Sequence, residues 1–483
     1  MKESGLFPGL DFVDTHSAKD KYSKCKLGPD IAVYTSGETR TGPLSWEGIL
    51  SFVEWKVNVG TDGYRSTGRE DELLEATSIS AHEFRGQMYS YAGQVMQSQH
   101  RLSIVSLSFH EDIARVYRFD PSCIVVSEPI FYRTDPTPIL EIFWRLSAMS
   151  SAQRGYDPTV TPASSEERKI FRSRIDDYLK RVEKDNLRKH PDVERLNNNI
   201  VKVQVNNEID GTIHSYLACK PLPTREYVCT GFSPCGQMSQ GFIATPLTST
   251  VAKSREGLRS KATHTTIRST APEGVLFWLK DSWRPSFAES ETSVIANLKA
   301  KGVPNLPDIR HGGDVLFETA TQETLNDTLR FDPSTEPWRW KTNIIHHMVH
   351  CRIVSRLLIP LDEVKDAREL LSVGRDVLLS ESFDVRFDER EITMQICLAI
   401  ATAFHEGGIY HRDISRKSVM MTERQDGSGR LQGVLCDWNY TKGVGVETTQ
   451  YKLRPVCQTM FCSLLSFTHK ISGKLAIRFY SYA

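Results

Sequence analysis

The apolar positions change period several times along the first 150 residues. Ile31 to Tyr34 and Ile49 to Val57 read as strands. Phe84, Met88, Tyr91 and Val95 recur at spacings of three and four, which predicts a helix over Ala81 to Arg101. Leu102 to Phe109 and Ala114 to Phe119 are strand-like and are joined in hairpin fashion through His110-Glu111-Asp112. A short strand at Cys123 to Val126 and a helix at Ile139 to Met149 complete a compact α/β unit, assigned to residues 1–155.

From Glu166 to His190 nine Lys/Arg face six Asp/Glu, while Phe171, Ile175, Tyr178, Leu179 and Val182 mark one apolar face. This pattern predicts a solvated amphipathic connector within residues 156–199, ending in a polar linker at Asn197 to Asn199. A second unit is expected over residues 200–465. Its strands are predicted at Val201–Val205, Ile213–Leu217, on both sides of Gly231 to Gly241, at Gly274–Leu279 and within Ile344–Pro360. Its helices are predicted at Glu291–Lys301, Val364–Leu379 and Ile392–His405, and residues 466–483 form an atypical tail.

The composition adds limits to this picture. A chain of 483 residues is long enough for two or three domains, and 39% hydrophobic content builds ordinary cores. Sixty Lys+Arg cancel sixty Asp+Glu, so nucleic acid is not an expected partner on bulk charge. The ten cysteines include no C-x-x-C pair, which argues against a zinc module or a secreted disulfide framework. There is no signal-like apolar region at the N-terminus and no membrane-length apolar run, so an intracellular protein of cytoplasm or nucleus is expected.

The chemistry concentrates near the C-terminus. His411-Arg412-Asp413 follows the helix Ile392–His405, and an apolar run ending in Cys436-Asp437 comes next. Helix, H-R-D loop, β-ribbon and acid at a strand end make up the protein-kinase catalytic arrangement. One carboxylate, Asp413, would orient the attacking hydroxyl, and a second, Asp437, would hold Mg²⁺ on the phosphates. Upstream, an apolar strand ends in Lys280, where a phosphate-pairing lysine belongs. Glu291 opens the following helix as its partner, with Glu289 as the alternative register.

These residues resemble the fungal-type protein kinase family. The resemblance rests on His411-Arg412-Asp413-Ile414-Ser415, Leu279-Lys280-Asp281-Ser282-Trp283, Gly302-Val303-Pro304 and Cys436-Asp437-Trp438. The leading Trp46 to Lys56 strand and Gln87 to Arg101 helix also look like that family, so the similarity spans roughly residues 25 to 460. It implies a kinase fold using ATP and Mg²⁺, with phosphate transfer to Ser/Thr of a protein substrate. Lys280, Glu291, Asp413 and Asp437 take the matching roles, Arg412 braces the loop, and Gly236 and Gly241 are what remains of a glycine-rich loop. Ser418 stands where the family has a metal-binding Asn, and Trp438-Asn439 replaces the usual glycine after the acid. Only 70 residues follow Asp413, so the C-lobe is expected to be incomplete. These departures make a catalytically inactive pseudokinase the alternative.

A second constellation lies in the leading unit. Pro29-Asp30 precedes one strand and Glu54-Trp55-Lys56 ends another, with Glu54 and Lys56 on one face by strand alternation. This resembles the PD-(D/E)xK nuclease fold, in which the acids bind Mg²⁺ and the lysine positions water. Gln94 and Gln97 are candidates to face that site from the next helix. The expected fold is therefore α+β: a protein-kinase-like bilobal fold with an incomplete C-lobe, preceded by a smaller α/β domain of nuclease-like type.

Overall fold

The computed structural model describes residues 7–18, 27–37, 42, 44–65, 75–185, 190, 193, 196–221, 234–252, 264–268, 275–324, 347–360, 387–411, 414, 418–424 and 431–443. Six strands form the leading sheet: β1 (Leu10–Asp14), β2 (Ile31–Thr35), β3 (Ser51–Lys56), β4 (Ile104–His110), β5 (Ile113–Phe119) and β6 (Ile124–Val126). They lie in chain order, and every pair is antiparallel except β3 and β4. The parallel pair requires a crossover, which helix α1 (Ile79–Ser98) supplies. Ser78 starts that helix by accepting the amide of Ala81 at 3.2 Å. Phe84, Met88, Tyr91 and Val95, the residues that carried the helical periodicity, are all buried. Helix α2 (Thr137–Ala148) covers the opposite face through Ile139, Phe143 and Leu146.

The second sheet contains β7 (Val160–Pro162), β8 (Leu196–Asn206), β9 (Ile213–Pro221), β10 (Gln240–Ala252), β11 (His264–Arg268), β12 (Phe277–Pro285) and β13 (Ile309–Asp314). A small ribbon, β14 (Leu316–Phe317) and β15 (Ala320–Thr321), follows, and β16 (Met348–Arg356) then enters the sheet between β13 and β12. Beyond it β17 (Ile359–Pro360), β19 (Val419–Glu423) and β20 (Leu431–Leu435) pair, while β18 (Ile409–Tyr410) pairs with β21 (Lys442–Gly443). The predicted helix at Val364–Leu379 lies outside the described residues, as does the chain after Gly443.

Helix α3 (Ser165–Lys184), stopped at its start by a capping box between Ser164 and Glu167, differs from the solvated connector expected of its charge. Its apolar stripe of Phe171, Tyr178 and Val182 packs with Ile200, Leu217, Cys219, Ile243 and Leu276 of the second sheet. The segment before it adds β7 to that sheet's edge. The charges that suggested solvation occupy the other side of the helix.

Alternation along β12 divides the second sheet's contacts. Phe277, Leu279, Asp281 and Trp283 share one face, and Trp278 and Lys280 share the other. On the first face, Trp283, Met348 and Met238 join the apolar cluster around α1, so the leading unit packs there directly. Polar residues continue the seam. Arg352, fully buried, bonds Asp281 Oδ2 through Nε at 2.7 Å and pairs with Asp157. His350 stacks on Trp283 and lies 2.7 Å from Asp281 Oδ1.

Burial would raise the Asp157 carboxyl, but the neighbouring Arg352 and His350 hold it down to about 2. Its folded value therefore lies below its unfolded one. Its contribution to stability is complete above the ordinary carboxylate range and is lost as pH falls toward that lower value. In urea titrations the stability gap between wild type and Asp157→Asn should narrow by about 2 kcal/mol between roughly pH 5 and pH 2. A gap that stays constant over this interval would show that the seam does not hold Asp157 ionised.

Candidate active site

Helix α4 (Glu291–Ala300) begins at Ser290, whose hydroxyl accepts the amide of Ser293, and Glu291 occupies its first turn. Val294, Ile295 and Leu298 anchor α4 in an apolar cluster with Ile414, Val419, Leu435 and Trp438. Helix α5 (Phe387–His405) joins the same cluster through Ile396, Ala399 and Ala403. One packed core thus joins the helix bearing Glu291 to the ribbon that ends at Asp437.

Above that core, Lys280 Nζ lies 2.5 Å from Glu291 Oε2 and 2.5 Å from Asp437 Oδ1. Burial alone would lower the Lys280 ammonium, but the Asp437 and Glu291 carboxylates overcome this and hold it well above the usual lysine range. The other oxygen of Glu291 accepts the backbone amides of Asp437 at 2.9 Å and Trp438 at 3.2 Å. Asp437 adopts left-handed backbone, φ +67°, a conformation an Asp tolerates when its surroundings fix it. Trp438 supplies part of that fixation: it is fully buried, and its indole N–H donates to the Leu435 carbonyl at 2.7 Å. The strand-end register selects Glu291 over Glu289, which is exposed.

His411 stands edge-on to Trp438, with Nε2 2.8 Å from the Cys436 carbonyl. Burial pushes this imidazole down to about 4, so near neutral pH it is uncharged and its Nε2–H donates to that carbonyl. Arg412 and Asp413 lie outside the described residues; His411 before them and buried Ile414 after them are held on Cys436 and in the apolar cluster. Ser418 is buried and its carbonyl accepts the Cys436 amide at 2.7 Å, which brings it beside the strand leading to Asp437.

The two glycines part company. Gly241 pairs opposite Lys280, and a Cβ there would come within 1.9 Å of the Trp278 indole. Gly236 lies at the seam instead: its amide donates to the Pro121 carbonyl at 2.7 Å, and Met238 beside it joins the α1 cluster. In this arrangement the Gly236 amide is engaged by the leading unit.

In the leading sheet the structure brings Asp30, Glu54 and Lys56 together. Lys56 Nζ is 2.7 Å from Glu54 Oε1, Glu54 Oε2 accepts the Asp30 amide at 3.3 Å, and Asp30 Oδ2 accepts the Trp55 amide at 2.7 Å. Burial pushes the Glu54 carboxyl up, against the pull of Lys56. The helix residue that reaches Glu54 is Gln87, at 2.7 Å, and not Gln94 or Gln97. Gln87 also bonds the Tyr91 hydroxyl one turn on, so the helix face of Gln87 and Tyr91 carried the signal that the sequence reading missed.

No group of three or more His, Cys, Asp or Glu among the described residues is arranged to hold a metal alone. Mg²⁺ fits such sites when one or two carboxylates are supplemented by substrate oxygens. Asp437, with its carboxylate 2.5 Å from the Lys280 ammonium, suits that use. Among the described residues no helix is long and apolar enough to cross a membrane.

Replacing Lys280 by Ala would leave Glu291 and Asp437 facing one another without a counter-charge. The variant should lose about 3 kcal/mol of stability in urea titrations near neutral pH. A loss under about 1 kcal/mol would mean that water, and not the ammonium, balances the pair.

No curated protein matches the chain. Residues 71–191, which include α1, β4 to β6, α2, β7 and α3, match the family model described as Fungal protein kinase. The match lies upstream of Lys280, so it and the lysine–carboxylate geometry bear on different parts of the chain and agree. Over those residues the chain is similar to the fungal-type protein kinase family.

Proposed function

We propose that the chain binds Mg²⁺–ATP and transfers its γ-phosphate to Ser or Thr of a protein substrate. The observation that carries this reading is the Lys280 ammonium held between Glu291 and Asp437. Lys280 would bind phosphate oxygens, with Glu291 fixing its position, and Asp437 would hold the cation. Mg²⁺, when bound, neutralises charge on the phosphates. Asp413 would accept the hydroxyl proton of the substrate, and neutral His411, tied to the Cys436 carbonyl, orients the loop that carries it. Ser418 is the remaining metal-ligand candidate. The protein substrate is a proposal of the same reading and is identified by chemistry alone, as a hydroxyl-bearing side chain.

Millimolar Mg²⁺–ATP should raise the melting temperature of the wild type and not that of Asp437→Asn. Phosphate transfer to a generic Ser/Thr substrate should fall at least about 100-fold in Asp413→Asn. Binding without transfer would favour the pseudokinase alternative, which Ser418 and the Trp438-Asn439 replacement support. An unchanged wild-type melting temperature at millimolar Mg²⁺–ATP would overturn the nucleotide reading altogether.

A second reading concerns the leading sheet, favoured by the assembly of Asp30, Glu54, Lys56 and Gln87 at the end of β3. Ligands of open α/β sheets bind at the carboxyl ends of parallel strands, and β3 and β4 are the parallel pair. The two carboxylates could share a divalent cation with a phosphodiester, Lys56 facing the phosphate. Mn²⁺ should then support cleavage of plasmid DNA that Glu54→Ala abolishes. Cleavage insensitive to that substitution, or none at all, removes nuclease activity from consideration.

A further inference from the structure

The phosphate anchors fix one end of the nucleotide cleft, and the chain's own geometry fixes the other. Cys436, next to Asp437, packs with Val434, Met420 and Leu358 in a small apolar cluster. Leu358 lies on the segment that joins the second sheet at β16 to the ribbon at β17, so the cluster lines the space between those two layers. Trp278, on the same face of β12 as Lys280 and two residues before it, packs against this cluster. A flat heteroaromatic base attached to phosphates at Lys280 would need such a slot: apolar walls for stacking and backbone polar groups at its rim.

That slot is already filled. The Trp278 indole, a bicycle of purine's size, lies across Gly241 so closely that only a glycine leaves it room. His190, fully buried and carried on the segment between α3 and β8, stacks beside it with ring centroids 6.3 Å apart and planes 25° from parallel. Its Nε2 lies 2.8 Å from the Leu358 carbonyl, so the ring N–H takes the backbone acceptor that an exocyclic amine of a base would use. The His190 amide in turn donates to the Tyr178 hydroxyl of α3 at 3.1 Å, and Arg181 of the same helix reaches Glu423 of β19 at 3.3 Å. The helix expected as a solvated connector thus holds His190 through Tyr178 and reaches β19 through Arg181.

We infer that Trp278 and His190 occupy the base end of the nucleotide cleft, so that in this conformation the site accepts a phosphate chain with its cation but excludes the purine. The inference rests on the nucleotide reading above and assigns two residues that control base access. Gly241, on this account, is a glycine because it lodges the indole. Purine entry requires the indole to rotate out and His190 to release the Leu358 carbonyl. Trp278 is only half-buried, which leaves the indole a route toward solvent.

Calorimetric titration of the full chain tests this with three probes: Mg²⁺–ATP, Mg²⁺–tripolyphosphate and adenosine. The wild type should bind Mg²⁺–ATP and Mg²⁺–tripolyphosphate equally, within about threefold, and should not bind adenosine at millimolar concentration. Trp278→Ala and, separately, His190→Ala should each bind Mg²⁺–ATP at least about tenfold more tightly than Mg²⁺–tripolyphosphate and should acquire adenosine binding. His190→Ala removes the ring packed beside the indole and its bond to the Leu358 carbonyl, so the indole can rotate out, and this variant reports even if Trp278→Ala fails to fold. A wild type that binds adenosine, or prefers ATP tenfold, overturns the inference, as do variants that show no preference for ATP. If no protein binds Mg²⁺–tripolyphosphate, the phosphate anchors themselves are misassigned and the underlying nucleotide reading fails with it.

Discussion

A single ammonium group organises the centre of this molecule. The Lys280 side chain is only 13% exposed, and a lysine so far out of water is costly unless its charge is met. Two carboxylates meet it, one from the start of α4 and one from the end of the β19–β20 ribbon. The three groups therefore tie the sheet, the helix and the ribbon at one point. Their summed charge is negative by one unit, which is the balance a divalent cation carrying phosphate would correct. Until such a cation arrives, Lys280 keeps Asp437 in position.

The ion triad is stable because the elements bearing it are fixed from behind. On one side of the second sheet the leading unit packs α1, Trp283 and Met348 together, and Arg352 spans Asp157 and Asp281 inside that seam. Asp281 is adjacent to Lys280 in sequence but faces the opposite side of the strand, so its ion pairs and the lysine's act through the same stretch of backbone. Such buried pairs cost desolvation, and their return lies in fixing one arrangement as much as in stability. On the other side α3 occupies the cleft face beside Trp278. The sheet is held from both faces, and the strand bearing Lys280 has little freedom to shift.

Much of this was legible in residues. The α1 and α4 periodicities, the strand ending in Lys280 and the acid ending an apolar run are local patterns, and local patterns set local structure. Glu291 was readable, with Glu289 as the alternative register, because it opens the helix that follows the lysine-bearing strand. The role of α3 was not legible, because seven cations on one helix outweigh a narrow apolar stripe whose partner lies on another strand. The partner of Gly236 was hidden for a similar reason: a glycine advertises backbone freedom but not which partner will use it. Gln87 escaped notice because its significance depends on the crossover that brings α1 over Glu54, a relation between elements and not within one. The contact between His190 and Leu358 spans 168 positions and leaves no local trace at all.

The replacement of glycine after Asp437 illustrates how a departure from a pattern can be absorbed. A glycine at that point would let the backbone move between conformations. Here Trp438 is fully buried against His411, its indole is bonded to the Leu435 carbonyl, and a short 3-10 turn over Trp438–Tyr440 follows. Glu291 clamps the amides on both sides of the turn's start. The backbone of Asp437 is thus held in its left-handed conformation by packing and hydrogen bonds, without the freedom that glycine would give. The rigidity has a cost nearby: the buried carboxamide of Asn439 finds no hydrogen-bond partner among the described residues, a penalty of about 1–3 kcal/mol. A segment that tolerates this penalty is one whose fixed placement of Asp437 matters more than its ability to swing.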